Sequence, residues 1–236
     1  MNAAQPKGLS ERVPGVAEPP SQLWSLGVGI GLGALGSLPA WIPGSDTFSL
    51  LAWLAWVAPA SGVFLGAARV DPLRFGAVAP ALWAVAMALL GASEERASLP
   101  SPAFGALAWS GLFFAGMGIG ALARSAASAC ASVLLASALL VGLPSRAGLA
   151  GEPWSPRATS VLLDLSPFVF LGECSGVRDM AWHRSLYAAA GTDRFQRTPW
   201  NGPWAGGAAF ASGLSFAWLA ARWRRRSQDQ RRVPNG

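Results

Sequence analysis

A thiol, a hydroxyl and an imidazole with carboxylates nearby are the ingredients of nucleophilic catalysis, and all of them fall in one stretch of this chain. Gly172, Cys174 and Gly176 match G-x-C-x-G, a variant of the turn that lifts a nucleophile above a sheet. The chain's one histidine, His183, follows, with Asp179 and Asp193 close by. Such a turn needs a strand before it and a helix behind it, and the 236 residues contain no alternating β/α pattern. No catalytic constellation is therefore expected, and the chain is read as a non-enzyme. Cys174, Asp179, His183 and Asp193 are also metal-ligand types, but their spacing matches no standard site, so neither metal nor cofactor is expected. Glu94 and Glu95 read as a solvated turn. Gly31, Gly33 and Gly36 match G-x-G-x-x-G. A dinucleotide site needs a preceding strand, an exposed helix start and an acid about 20 residues on, and glycine-rich apolar helices reproduce the spacing without them.

The elements that must position these residues are six stretches without one charged side chain: 23–42, 47–68, 75–92, 103–123, 127–143 and 203–221. Each approaches the ~20 residues a helix needs to cross a ~30 Å hydrocarbon core, where a backbone must bond within itself. Composition agrees, with 52% hydrophobic and only 13% charged residues, against roughly 25% charged in a soluble domain. The expected fold is all-α: a polytopic membrane protein with six transmembrane helices. Residues 1–22 read as a flexible tail; with Lys7, Arg12 and four prolines they do not resemble a cleavable signal. Spans one to five fill 23–143, an external, partly apolar loop occupies 144–202, the sixth span is 203–221, and 222–236 form a basic tail.

Basic residues orient such a chain rather than bind nucleic acid, despite a net charge of +6. With the amino terminus in the cytoplasm, Lys7, Arg12, Arg69, Arg74, Arg124 and six arginines between 222 and 232 lie inside, eleven of the 18 cations. Both termini are expected to be cytoplasmic, in a bacterial inner (plasma) membrane. The tail from Arg222 can also lie on anionic headgroups, at about 1 kcal/mol per residue. Cys130 and Cys174 start on opposite sides, so no disulfide is expected.

Small residues four apart let helices approach closely in lipid, where packing replaces the hydrophobic drive. Gly27 and Gly31 in the first span, Gly116 and Gly120 in the fourth, and Gly202 and Gly206 at the start of the sixth are the expected packing positions. Pro59 and Pro80 fall inside spans two and three, where each removes a backbone donor. No span holds Asp, Glu, His, Lys or Arg, which argues against a proton- or sodium-coupled carrier and against acid/base chemistry at depth. The loop 144–202 is too long for a tether. Its stretch 161–171 is apolar but too short to span, as for an interfacial or re-entrant helix, and a second helix is expected over 177–190.

This organisation resembles the membrane subunits of ABC-2-type exporters. The likeness lies in six spans with both termini inside and in the short charged link Arg69-Val70-Asp71-Pro72-Leu73-Arg74, at the place of that family's coupling helix. It also lies in the segment 161–190, where the family has external re-entrant helices. The resemblance implies a permease subunit that dimerises or joins other subunits in the bilayer. Because the chain has no phosphate-binding Walker sequence, ATP would be bound by a separate ATPase that meets Arg69, Asp71 and Arg74. Next after this reading comes a non-catalytic scaffold or assembly factor with 144–202 as its docking surface. A surface-acting membrane enzyme using Cys174, His183 and Asp193 comes last.

Overall fold

The computed structural model describes residues 47–75, 101–123, 125–149, 156–177 and 200–232. The expected first span with Gly27 and Gly31, nearly all of the third, and His183 and Asp193 lie outside them. Every regular element among the described residues is a helix, as the all-α expectation requires. In chain order these are α1 (Thr47–Ala67), α2 (Pro72–Phe75), α3 (Pro102–Leu122), α4 (Ala126–Leu149), α5 (Pro156–Leu165), α6 (Pro167–Cys174) and α7 (Gly202–Arg232).

Helix α3 is the centre. It starts with Pro102 in its first turn, where a missing N–H leaves no bond unmade, and stops where Ala123 turns extended. It packs against α1 on one flank and α7 on the other. Among the described residues it is the one helix both long and apolar enough to cross a membrane; the apolar parts of α1 and α4, Leu51–Ala67 and Ala127–Leu140, are shorter.

Glycine sets how close the three helices come. A methyl group at Gly62 or Gly66 of α1 would fall on the carbonyl oxygens of Phe113 and Met117, and one at Gly116 or Gly120 of α3 on those of Pro59 and Val63. The seam is thus reciprocal, each backbone lying in the groove that the other's missing side chains leave. On the opposite flank Gly111 meets the backbone of Ala209, and Gly213 of α7 meets the carbonyl of Gly111.

Larger side chains fill the space beside these contacts. Phe113, Phe114 and Met117 are fully buried, with Phe114 edge-on to Phe210 of α7 at 5.8 Å between ring centres. Two buried or half-buried indoles reach carbonyls, as a donor removed from water must. Trp109 Nε1 donates to Leu54 O at 3.1 Å, one residue from the carbonyl that Pro59 leaves without its helical donor. Trp56 Nε1 donates to Leu134 O at 3.0 Å and ties α4 to α1. The Cys130 thiol adds a longer contact to Ala60 O at 3.9 Å. Both cysteines are free thiols.

Two helices outrun the apolar stretches that predict them. Helix α4 continues through Pro144 to Leu149, past the expected end at 143, and α7 continues unbroken through its arginines to Arg232, past 221. Arginine is among the better helix formers, which carries α7 past its apolar face, whereas α4 runs on in spite of Pro144 and Gly148.

Candidate functional site

The thiol singled out by sequence sits at the end of α6, a short helix wedged against α1, α3 and α7. Phe168, Val169, Leu171 and Cys174 are all buried. The chain leaves α6 through a tight C-cap: the Gly176 N–H bonds to Glu173 O and the Val177 N–H to Gly172 O, both at 3.0 Å, with Gly176 at φ 86°. Its neighbours lock it in place. The Ser101 N–H donates to Ser175 O at 2.9 Å, joining α3 to α6. The Trp200 N–H donates to Glu173 Oε2 at 2.8 Å, and the Phe170 and Trp200 rings meet edge-on at 5.6 Å. A methyl on Gly202 would approach Cys174 O to 2.8 Å, so α7 begins against the α6 backbone.

This is not the geometry of an exposed nucleophile. Cys174 is 0% exposed, and burial, with a smaller push from Glu173, raises its thiol to about 12, so at neutral pH it is protonated and unreactive. The Ser175 hydroxyl is used up on Leu171 O at 2.7 Å. No three metal-ligating side chains come together among the described residues.

At the other end of the bundle the structure brings charges together. The link after α1 is folded rather than loose. The Arg69 N–H bonds to Gly66 O and the Val70 N–H to Leu65 O, both at 3.2 Å, the same paired closure that ends α6. In α6 the left-handed position is glycine. Here it is Arg69, at φ 63°, a conformation that costs a side-chain-bearing residue roughly 1–2 kcal/mol. Asp71 then starts α2, accepting from the Leu73 N–H at 3.0 Å, while its other oxygen pairs with Arg225 of α7 at 3.6 Å. That pair is exposed and screened, worth under about 1 kcal/mol, yet it fixes which elements meet. Arg74 lies within α2.

Helix α7 supplies what the link lacks. Arg224 Nη1 donates to Ala121 O at 3.1 Å, satisfying one of the last carbonyls of α3, where a cation also suits the helix dipole. Partial burial, and then the nearby Arg69, lower the Arg224 pKa. Between these groups lies a cleft of about 90 Å³, rimmed by Arg69, Arg224, Arg225 and Gln228 and floored by Gly66, Met117, Ala121 and Ala217. The sequence marks the link and the tail as basic, but not that Arg224 and Arg225 reach the link. Arg69→Gly should raise stability by about 1 kcal/mol in denaturant titrations, because glycine adopts φ 63° without strain. A loss of stability would mean that the side chain, not the backbone, holds the turn.

The sequence matches no protein-family model, and no curated protein or solved structure is similar to it. Function has to be read from the residues and their geometry.

Proposed function

We propose that this chain is a six-span inner-membrane protein with cytoplasmic termini, acting as the permease subunit of an ABC-2-type exporter driven by a separate ATPase. The membrane reading rests on the charge-free stretches and on the outward faces of α4 and α7, where Leu135, Leu139, Leu219, Trp204 and Trp223 are exposed. Trp204 and Trp223 are about 28 Å apart along α7 at 1.5 Å per residue, the separation of the two interfacial belts of a bilayer. The coupling role rests on one observation: the link 69–74 is held as a capped and ion-paired helical turn. A rigid charged turn is what a partner's groove can push on, and Val70 packs it against the core that α1 and α3 share.

The closed seam of α1, α3 and α7 favours a second reading, a non-transporting scaffold, because helices in backbone contact leave no room for cargo between them. Two experiments decide. Reporter fusions after Arg226 and within 93–102 should report cytoplasmic and external locations; a tail found outside, or both on one side, overturns the orientation and the exporter with it. A pull-down from native membranes in mild detergent should recover an ATPase. Arg69→Glu with Arg74→Glu should weaken that contact by about 1–3 kcal/mol. If no ATPase accompanies even the wild-type protein, the scaffold reading takes over.

A further inference from the structure

Three cations surround the cleft at the end of α1, α3 and α7, and among the described residues one acid answers them. Asp71 gives one oxygen to the Leu73 N–H and the other to Arg225, so among the described residues no carboxylate lies between Arg69 and Arg224. Arg224 is not a free surface group: its bond to Ala121 O aims it at the cleft, whose lining it joins. The proximity of Arg69 is unfavourable to Arg224, lowering its pKa alongside burial, and an anion between two guanidinium groups removes that repulsion. Arg69 itself is held in a conformation that glycine would adopt without strain, a cost that a binding role for its guanidinium accounts for.

We propose that this cleft seats the phosphodiester of an anionic phospholipid. The inference rests on the membrane reading above. A phosphodiester has two free oxygens to receive the two forks of Arg69 and Arg224, and the cleft of about 90 Å³ has room for a phosphate group. Lipid rather than free phosphate is favoured by the floor, which is apolar: Gly66, Met117, Ala121 and Ala217. The height of the cleft agrees. Exposed Trp223 stands beside Arg224 on α7, and the preceding Arg222 lies over the ring of Trp218, one turn earlier, at 5.1 Å, both arrangements suited to the headgroup layer. Basic pockets between membrane helices bind lipid headgroups by the same physics.

The test uses the full chain in nanodiscs of phosphatidylcholine with increasing phosphatidylglycerol, and native mass spectrometry to count retained lipid. The wild-type protein should retain phosphatidylglycerol over phosphatidylcholine by about tenfold, and Arg69→Gly, which suits the backbone, should lose about fivefold of that preference. Arg224→Lys serves as a second variant, since an ammonium keeps the charge and can still donate to Ala121 O but has no fork to offer, and it should lose about twofold of the preference. Millimolar inorganic phosphate should not displace the lipid. Equal preference in wild type and both variants overturns the site, and displacement by phosphate overturns the lipid assignment. Alkaline extraction of membranes separates the two levels: a chain released to the supernatant refutes the membrane reading, whereas a chain retained in the pellet without lipid preference refutes only the site.

Discussion

Gly116→Ala is expected to destabilise the protein by about 3 kcal/mol, and Gly116→Leu to prevent folding. A helix interior ordinarily gains up to about 1 kcal/mol from this glycine-to-alanine change, so the loss must come from the seam. The added methyl meets the carbonyl of Pro59, a backbone atom that no rotamer change can move, and α1 and α3 can accommodate it only by separating. Separation then undoes the contacts of Gly62, Gly66 and Gly120 together. The control is in the same fold: Gly207 of α7 has nothing within 4 Å of an added methyl, so Gly207→Ala should be neutral or slightly stabilising. Unfolding in detergent followed by tryptophan fluorescence measures both. Equal behaviour of the two variants would refute the backbone contact between α1 and α3.

The second large effect is on Cys174. A thiol raised from 9.0 to about 12 has a thiolate fraction roughly 1000-fold lower at a given pH below both values. In a Cys130→Ala background, maleimide labelling at pH 8 should be slower than that of a free cysteine by at least about 30-fold, because a thiolate of higher pKa is also the stronger nucleophile, and should reach the free rate on unfolding. Burial acts in the same direction, since the reagent must reach a side chain that is 0% exposed. Fast labelling of the folded protein would restore Cys174 as a candidate nucleophile and reopen the enzyme reading that His183 and Asp193 accompany.

What the sequence could show, and what it could not, follows from the kind of signal each feature leaves. Runs without charge mark α1 and α3 to within a residue, because Pro102 and the Ala67–Arg69 boundary punctuate them. The ends of α4 and α7 are not marked, since hydropathy reports where a face turns polar and helix propensity continues through arginine. Gly116 and Gly120 stand out by their spacing. Their meeting with Gly62 and Gly66, which carry the same spacing, does not follow from it, because a repeat identifies a face and not the face it touches. The chemistry-bearing types around Cys174 are plain in the sequence, whereas the burial of Cys174 depends on α6 folding back among α1, α3 and α7. Likewise Arg224 and Arg225 read as tail charges until α7 brings them to Ala121 and Asp71.

The glycine seam also determines what can move. Where backbones touch with no side chains between them, one helix cannot roll against its neighbour, since a few degrees of rotation would drive a Cβ into a carbonyl. Helices α1, α3 and α7 must then travel as one block. Helix α4 packs along α1 with no glycine-to-backbone contact among the described residues, and an indole and a thiol join the two at Leu134 and Ala60. Side-chain tethers of that sort stretch and re-form with changes of rotamer. Among the described helices the looser joint therefore lies between α1 and α4, and a displacement of the link after α1 would shift the three-helix block past α4 and leave the seam intact.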